Sequence, residues 1–387
     1  MKLRHKWDIN ENLIPDDGKH YNGWEILQND SHINIVMGER SNGKSYFYIA
    51  LGLLFYKCTG YGMIYSRREK DAFTSTMTKN LFRPFYETKL IERIFKDEGW
   101  TDTYYFRRKW YLCKYDEMGN MIKDEKPFCI GIAINEQEDY RSVPLGEYRY
   151  WLFDEFITKG RYLINEFHEY QDLMSSIIRD RDDVLICLVG NSVNFYNPYF
   201  EGWGLVDCIR QEPGLIQEYI FENGYRISVQ LTDHKSDKES DVYFTFGNDK
   251  RLNMIAKGGF ATDIYPHKTV DYTDKNIKYR YYICYLNACF VCEIVKKDDI
   301  TFTYIYETKN TVDVDGFKLY RFRRKNEIVF CNKTTPDKMI RKNIFVASDN
   351  LGKFILQYYK DDLVYYDNDV TGEMIHSYLV NLNKSVI

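Results

Sequence analysis

The 387-residue sequence lacks long hydrophobic runs, contains little proline and has no large excess of either charge. Its longest apolar stretch, residues 49–56, is far too short to span a bilayer. The charged residues 1–8 lead into no apolar segment, so we expect neither a secretory signal nor membrane association. With 8 Pro and 23 Gly, collagen-like and low-complexity sequences are excluded. A net charge of −4 excludes a uniformly basic nucleic-acid coat, although it leaves room for a local basic surface.

The nine cysteines are scattered, and their only close pair is Cys289 and Cys292. That pair lies in an apolar run with the character of a strand, where residues three apart face opposite sides and cannot share a metal. We therefore expect no zinc site. An odd number of cysteines without a secretory signal is typical of reduced thiols in a cytoplasm.

Short apolar runs alternate with helical segments over the first 235 residues, which predicts an α/β fold with a parallel sheet covered on both faces. The predicted strands are 33–37, 62–65, 128–134, 150–153 and 184–189, with helices at 46–56 and 165–179. A polar stretch at 233–241 follows and is a candidate linker. Beyond it the chain is β-rich, with predicted strands at 279–295, 300–306, 317–322 and 327–331, and a helix at 350–359.

The most specific motif is a phosphate-binding loop between the first predicted strand and helix. It matches G-x-x-x-x-G-K-[ST] and consists of Gly38, Glu39, Arg40, Ser41, Asn42, Gly43, Lys44 and Ser45. In such a loop the backbone N–H groups face phosphate oxygens, the lysine binds the β and γ phosphates, and the hydroxyl can ligate Mg²⁺. The motif predicts ATP and Mg²⁺ as the ligands of this segment.

A second motif ends the predicted strand at 150–153, where the apolar run is followed by Asp154 and Glu155. This is the pattern of a Walker B strand, in which Asp154 would hold Mg²⁺ and Glu155 would polarise the attacking water. A second acid favours a hydrolase over a small-molecule kinase, because a kinase uses the hydroxyl of its substrate. The expected catalytic residues are therefore Lys44 and Glu155.

Three further segments allow both a functional and a structural interpretation. Asn191 ends the strand at 184–189, where it could sense the γ-phosphate or simply form a turn. Arg67 and Lys70 follow the second strand, at the edge of the sheet where ligands bind, or form a solvated cationic turn. Arg179 precedes the strand that ends at Asn191, so it lies too far from its own nucleotide and would reach that of a neighbour; alternatively it complements the helix dipole.

Together these motifs resemble the DNA-packaging ATPases of small tailed phages, the phi29-like packaging motors related to the large terminases. The segments that carry the resemblance are 38–45, 65–70, 153–156, 179–181, and 191 with 197–200. The resemblance implies an ASCE-type P-loop ATPase that acts as a homomeric ring, a pentamer in that family. It also implies that Arg179 is a trans-acting arginine finger, and that Arg67 and Lys70 are a lid-region cationic pair at the ATP site.

The same resemblance implies the biological setting. The ring would dock on the portal protein of a preformed capsid and translocate double-stranded DNA into it. A structural packaging RNA bridges the two in some family members, although nothing in this sequence shows that RNA. The protein would act in the host cytoplasm, transiently at the portal vertex, and would be absent from the mature virion.

The resemblance also sets the expected domains: a P-loop ATPase domain at 1–236, a linker at 237–268 and a ribonuclease-H-like domain at 269–387. In large terminases this last domain is a nuclease that needs an acid on its first strand. Here the candidate strand, 281–291, has none, and Asn287 is its only polar non-aromatic residue. We therefore expect a nuclease-inactive domain despite the later acids Asp313, Asp315, Asp361 and Asp362. Basic residues there could contact phosphates or be solvated: Arg321, Arg323, Arg324, Lys325, Lys338, Arg341 and Lys342.

Three alternatives to a DNA translocase remain at this point. One is an active terminase with a C-terminal endonuclease, and another is a helicase-like ring ATPase that remodels nucleic acid. The third is a non-catalytic nucleotide-gated binding protein, which the second acid, Glu155, disfavours. The adenine pocket is also open, with Tyr21 and Trp24 as candidates upstream of the phosphate-binding loop.

Overall fold

The computed structural model describes most of the chain. It covers residues 1–16, 18, 20–38, 42–73, 80–141, 143–158, 162–163, 165–191, 197–205, 208, 211–233, 265–268, 271–285, 288–314, 317–321, 327–331, 340–341, 344 and 350–383. The chain divides into two compact units, one comprising Met1–Pro198 with Asp207–Phe260 and the other Tyr199–Val206 with Ala261–Ile387. The expected linker at 237–268 lies almost wholly outside the described residues, so the domain limits at 236 and 269 stay predictions.

The first unit contains one large mixed sheet and, apart from it, a two-stranded hairpin formed by its first two strands. Its strands are β1 (Lys2–Leu3), β2 (Trp7–Asp8), β3 (Ile33–Gly38), β4 (Gly62–Arg67), β5 (Asp102–Phe106), β6 (Lys109–Tyr115), β7 (Met121–Lys123), β8 (Cys129–Ala133), β9 (Tyr148–Asp154), β10 (Leu185–Asn191), β11 (Ile216–Ile220) and β12 (Arg226–Leu231). Its helices are α1 (Trp24–Gln28), α2 (Lys44–Thr59), α3 (Arg83–Glu87), α4 (Leu90–Ile94), α5 (Gln137–Tyr140) and α6 (Glu166–Ile178). A further helix, α7, spans Pro198–Trp203.

The ten-stranded sheet has the order β11-β12-β3-β10-β9-β4-β8-β6-β5, with β7 on β6. The central strands from β12 to β8 pair in parallel, as expected for buried apolar runs joined by crossovers. Both margins differ from the predicted parallel sheet, because β11 and the β5–β7 meander pair antiparallel. These hairpins were not predicted, since their strands alternate polar with aromatic residues and are short of continuous apolar runs.

Helix α2 packs on this sheet by an almost wholly apolar surface and is longer than the predicted 46–56. Its close approach to β4 depends on Gly52, where an added Cβ would lie 2.1 Å from the Met63 sulfur. All six residues of β3 are buried, and β9 and β10 are buried along nearly their whole length. The sheet and α2 thus form a rigid core whose carboxyl edge carries the ends of β3, β9 and β10. Among the described residues, no helix is long and apolar enough to cross a membrane.

The second unit contains a six-stranded sheet of order β19-β18-β13-β14-β15-β20. Its elements are β13 (Ile277–Tyr285), β14 (Ala288–Lys297), β15 (Ile300–Glu307), β16 (Thr311–Val314), β17 (Phe317–Tyr320), β18 (Val329–Cys331), β19 (Ile340–Arg341), α8 (Asn350–Lys360), β20 (Val364–Tyr366) and α9 (Asp369–Asn383). Strands β13, β14 and β15 are antiparallel neighbours, whereas β18 pairs in parallel with β13 and β20 with β15. This arrangement is the mixed, β-rich unit that the sequence predicts.

Two expectations for this unit need correction. The run at 279–295 is a hairpin of β13 and β14 and not one strand, since the chain reverses between Tyr285 and Ala288. Cys284 and Cys289 face each other across that hairpin, with Cα atoms 4.2 Å apart, and form a disulfide instead of two free thiols. Asp315, Asn287, Arg323, Arg324, Lys325, Lys338 and Lys342 lie outside the described residues.

Candidate active site at the carboxyl edge of the sheet

The phosphate-binding loop connects β3 to α2 at the carboxyl edge of the sheet. Gly43 begins the helix with a φ of 96°, a conformation that favours glycine. The carbonyl of Asn42 accepts a hydrogen bond from the Tyr21 amide at 2.8 Å, which fixes the end of the loop. At its start, an added Cβ on Gly38 would lie only 1.8 Å from the Thr232 hydroxyl oxygen. Glu39, Arg40 and Ser41 lie outside the described residues.

A cavity of about 340 Å³ opens beside this loop. Its lining combines the loop with the ends of two neighbouring strands: Asn42, Gly43, Lys44, Ser45, Tyr46, Asp154, Glu155, Val189, Gly190 and Asn191. The strand register explains this meeting, because Asn191 pairs with Gly38 and Val189 pairs with Asp154. The structure therefore brings Lys44, Ser45, Asp154, Glu155 and Asn191 together. Their functional roles stay predictions.

Ser45 and Asp154 place two oxygen-bearing side chains side by side in the cavity lining. The Ser45 hydroxyl donates to Asp154 Oδ1 at 2.8 Å, and the Asp154 side chain is 7% exposed. A hydroxyl beside a buried carboxylate is a donor set that suits Mg²⁺, which binds through a few protein oxygens and keeps several waters. These two residues consequently fit the metal that the motif implies.

Lys44 is buried at the other side of the loop. Its ammonium donates to Asn42 Oδ1 at 2.9 Å, and Asn42 in turn donates from Nδ2 to the Thr232 hydroxyl at 3.0 Å. This chain of contacts ties the loop lysine to the strand end of β12. Sequence reasoning missed Thr232, because β12 follows a polar hairpin and was not among the predicted strands.

Arg67 contacts both carboxylates of the predicted Walker B pair. Its Nη1 lies 3.3 Å from Asp154 Oδ2, and its Nη2 forms an ion pair with Glu155. Tyr65 adds a hydroxyl that donates to Asp154 Oδ2 at 2.9 Å. Burial and the neighbouring Asp154 raise the pKa of the Tyr65 hydroxyl, which keeps it a donor. Burial alone would lower the pKa of Arg67, but Tyr65, Asp154 and Glu155 outweigh it, so the pKa is raised.

Glu155 stands just beyond the end of β9, with a φ of 57° and 55% of its side chain exposed. The turn that carries it is supported by Arg68, whose Nη2 donates to the Phe156 carbonyl at 2.6 Å and whose Nε donates to the buried Glu166 at 2.8 Å. A left-handed backbone at a glutamate is uncommon and points to a position under functional constraint. The sequence did not reveal that Arg68 supports this turn, because its partner Glu166 is 98 residues away along the chain.

The remaining predicted site residues lie away from the cavity lining. Lys70 is exposed, in a short turn after β4. Tyr21 is buried and donates its hydroxyl to Gln230 at 2.6 Å, while the Trp24 indole donates to the Ile14 carbonyl at 3.3 Å. Neither adenine candidate therefore faces the cavity.

Arg179 lies at the opposite edge of the sheet. It ends α6, just before β10, whose first residues pair with the start of β3. At roughly 3.3 Å per residue, the length of β10 separates Arg179 from the phosphate-binding loop by about 20 Å. The side chain is exposed, and Nη2 donates to the Val143 carbonyl at 3.1 Å. The role of Arg179 as an arginine finger stays a prediction.

Comparison with known proteins identifies the relatives of this chain. Residues 120–285 match the family model of the podovirus DNA encapsidation protein (Gp16). The predicted resemblance is confirmed. The matched segment begins after the phosphate-binding loop and contains Asp154, Glu155, Arg179 and Asn191. The DNA packaging proteins of Bacillus phages PZA and phi29 are each 24% identical over 212 residues, which is 54% of this chain. The chain spans 57% of the length of these curated relatives.

Solved structures extend the likeness to most of the chain. The Phi-28 gp11 DNA packaging motor has a TM-score of 0.54 at 18% identity, covering 94% of this chain and 98% of its own. The bacteriophage Phi-29 viral genome packaging motor assembly has a TM-score of 0.54 at 17% identity, covering 95% and 100%. At such low identity these two structures establish a shared fold. The function of this chain has to be argued from its own residues together with the encapsidation-protein family match.

Proposed function

We propose that this protein is the ATPase subunit of a homomeric ring motor that translocates double-stranded DNA into a preformed capsid. The observation that carries the proposal is the convergence of Lys44, Ser45, Asp154 and Glu155 on one cavity, next to the end of β10. This is the arrangement that phosphoryl transfer to water requires: a phosphate cradle, a metal-binding pair and a water-polarising acid. The match to the DNA encapsidation family supplies the substrate of the motor.

Within the cavity each residue has a distinct task. Lys44 binds the β and γ phosphates once Asn42 releases its ammonium, and the N–H groups at the start of α2 face the same anion. Ser45 and Asp154 would hold Mg²⁺, which supplies positive charge against the phosphates when bound. Asn191, at the tip of β10, is positioned to contact the γ-phosphate. Glu155 accepts the proton of the attacking water and orients its lone pair.

In the described arrangement the Arg67 guanidinium pairs with one oxygen of each acid. Binding of Mg²⁺ and nucleotide would bring competing charges to these groups and open the ion pairs. Arg67 is then free to contact a phosphate, in keeping with the lid-region role inferred for it and Lys70. We therefore propose that Arg67 pairs with the two acids when the site is empty and with a phosphate when nucleotide is bound.

Arg179 acts on the nucleotide of the neighbouring subunit. Its exposed position, about 20 Å along β10 from the phosphate-binding loop of its own chain, supports a contact in trans. A guanidinium there stabilises charge on the transferred phosphoryl oxygens, an effect worth about 10³–10⁵ in rate. A ring is the assembly in which every site receives such a finger. The resemblance to the phi29-like motors implies three further features. The ring has five subunits, it docks on a portal protein at the capsid vertex, and a packaging RNA bridges the two.

The second unit is assigned to a ribonuclease-H-like fold without nuclease activity. The assignment is supported by three antiparallel strands, β15-β14-β13, continued by the parallel strands β18 and β19. The proposed motor works in the host cytoplasm and leaves the capsid after packaging. An active terminase nuclease is the second candidate, and a plasmid-cleavage assay distinguishes it from the proposed motor.

The test is ATP hydrolysis by the full chain with and without double-stranded DNA. We expect DNA to stimulate hydrolysis and the protein to leave the strands of a forked duplex paired. A helicase-like ATPase would separate that fork in an ATP-dependent manner. If rings of verified assembly hydrolyse ATP at the same rate with and without DNA, the proposal is contradicted.

A further inference from the structure

The backbone of Arg179 is held in an unusual conformation. Its φ of 47° and ψ of −126° lie in a region that residues other than glycine rarely adopt. Such a conformation persists only where surrounding contacts determine it. Two amides of the segment are bonded within its own turn: Arg179 to the Ser175 carbonyl at 2.9 Å and Arg181 to the Ile178 carbonyl at 3.1 Å. We call residues 179–183 the finger loop.

The far end of the finger loop is bound by the N-terminal hairpin, the segment formed by β1, β2 and the turn between them. The Trp7 indole N–H donates to the Asp183 carbonyl at 2.7 Å. Arg4 Nη2 donates to the Asp182 carbonyl at 2.7 Å. The ammonium of Lys6 donates to Asp183 Oδ2 at 2.6 Å. Two bonds to backbone carbonyls and one to a side chain thus attach residues 182 and 183, three and four positions after Arg179, to a hairpin about 176 residues away in the sequence.

The hairpin is itself fixed to the core of the first unit. The Trp7 ring packs edge-on against Phe55 of α2, with centroids 5.8 Å apart, and against Tyr61 at 5.2 Å. Phe55 is fully buried, and α2 is the helix that begins at the phosphate-binding loop. Arg4 is buried and donates from Nη1 to the Asp30 carbonyl at 3.0 Å. The finger loop is therefore bonded to a side chain that packs against a fully buried residue of α2.

We propose that the N-terminal hairpin is a positioning element for the arginine finger, and that Trp7 is its principal positioning residue. This inference rests on the proposed trans role of Arg179. A finger must place its guanidinium to within a fraction of an ångström of the phosphoryl oxygens, and a displacement of about 1 Å can cost about 10²-fold in rate. The loop is exposed at the edge of the sheet, so the buried indole bond supplies the precision that its own turn lacks.

The matched variants are Trp7→Phe and Trp100→Phe. Trp7→Phe keeps an aromatic ring against Phe55 and Tyr61 but removes the donor to the Asp183 carbonyl. Trp100→Phe makes the same change at a partly buried tryptophan, whose ring is covered by the Lys114 ammonium at 5.0 Å. In homogeneous rings we expect Trp7→Phe to lower kcat about tenfold with KM for ATP unchanged, because the finger acts on the transition state. Trp100→Phe should leave both constants unchanged.

Mixed rings of the full chain separate positioning from general damage. The reference ring combines Arg179→Ala, which keeps an intact site, with Glu155→Gln, which keeps the finger. Adding Trp7→Phe to the Glu155→Gln subunit, the finger donor, should lower the recovered ATPase rate about tenfold. Adding it to the Arg179→Ala subunit should leave the rate unchanged. Equal rates for the two placements would overturn the inference.

Hydrogen exchange on the full chain provides a readout that needs no trans catalysis. Loss of the indole bond should accelerate exchange of the Arg179 and Arg181 amides about fivefold or more, without a change at the amides of α2. Unchanged exchange at these two amides would overturn the positioning role, whatever the reference ring does. If the reference ring stays inactive although mixing is confirmed, and exchange still accelerates, the proposed trans role of Arg179 fails while the structural attachment of the loop stands.

Discussion

Three side chains contact the carboxylate of Asp154. Its Oδ1 accepts from Ser45, while its Oδ2 accepts from Tyr65 and lies 3.3 Å from Arg67. Each of these donors has to be rearranged or shared when a metal ion takes the same oxygens. Glu155, only one residue further on, is exposed and shares Arg67 alone. The two adjacent acids therefore differ in their surroundings: Asp154 is buried among three donors, whereas Glu155 is open to solvent.

Glu155→Gln should separate binding from hydrolysis. The amide cannot accept a proton from the attacking water, so we expect ATP to bind and remain uncleaved, with kcat reduced by about 10²–10⁴. Lys44→Ala should instead lose binding as well, since the phosphates lose their cation. Both are measured by nucleotide binding and single-turnover hydrolysis. Glu117→Gln, at an exposed turn, is the control, and hydrolysis at the wild-type rate by Glu155→Gln would remove its catalytic assignment.

Arg67→Ala should destabilise the nucleotide-free protein in a way that Mg²⁺ reverses. The Asp154 carboxylate, 7% exposed, would lose the cation that neutralises it, and breaking such a buried pair costs about 3 kcal/mol. Mg²⁺ bound between Ser45 and Asp154 restores the missing positive charge. Denaturant unfolding with and without Mg²⁺ measures the effect.

Arg83→Ala provides the contrast for that experiment. Arg83 pairs with Glu87 on a helix surface where both side chains are more than half exposed, at 66% and 57%. Such a pair contributes about 0–0.5 kcal/mol to stability. The free energy of unfolding that Arg83→Ala loses should therefore be the same with and without Mg²⁺. An equal, Mg²⁺-independent loss of stability in both variants would show that Arg67 has no special relation to the metal-binding acids.

At the scale of elements, the phosphate-binding loop depends on its contact with the end of β12. Gly38→Ala would place a methyl group 1.8 Å from the Thr232 oxygen, so the loop or the strand has to move. Overpacking of this kind costs about 1–3 kcal/mol, and we expect nucleotide affinity to fall with it. Thr232→Ala alone loses the bond from Asn42, worth about 1 kcal/mol. The double variant should be less impaired than the sum of the two, because the clash is relieved.

Gly60→Ala is the matched control for this cycle. Gly60 follows the last residue of α2, the helix that begins after the phosphate-binding loop. Its φ is 72°, but a Cβ added there would point into open space. The substitution should cost about 1 kcal/mol of stability through its backbone and leave nucleotide affinity unchanged. Nucleotide titration and unfolding of the same samples distinguish the two effects. Strictly additive losses in the Gly38 and Thr232 cycle would argue against the contact.

The elements that the sequence predicted are those with continuous apolar runs. Strands β3, β4, β8, β9 and β10 were all found from their buried character, and the loop between β3 and α2 from its contiguous motif. The α/β class and the meeting of Lys44 with Asp154 follow from the rule that parallel strands end at one edge. What was missed depends on pairing across long sequence separations, such as Arg68 with Glu166 and Asn42 with Thr232.

At the scale of the whole molecule, the sheet of the second unit differs in its chemistry from the sheet that carries the phosphate-binding loop. In that second sheet, β13 contains no acid, and neither does its parallel neighbour β18. The buried acid of the neighbouring strand β14, Glu293, accepts hydrogen bonds from Tyr272 at 2.6 Å and Tyr306 at 3.1 Å, and pairs with Arg280. Its two oxygens are thus committed to protein donors. In the described residues of the central strands β13 and β14, a pair of catalytic Mg²⁺ ions would thus meet no carboxylate other than Glu293, whose oxygens already accept from protein donors.

The full chain should consequently leave DNA uncut under conditions that support its ATPase activity. Two-metal cleavage needs carboxylates that clamp both ions, and of the later acids Asp313 lies in the separate β16–β17 hairpin while Asp361 follows α8. The measurement is conversion of supercoiled plasmid with Mg²⁺ or Mn²⁺, with a restriction endonuclease as the positive control in the same buffer. Glu293→Gln should lower stability by about 1–2 kcal/mol, because Arg280 loses its partner, and should not alter the plasmid. Cleavage by the purified protein that disappears in Asp313→Asn or Asp361→Asn would establish an active terminase nuclease instead.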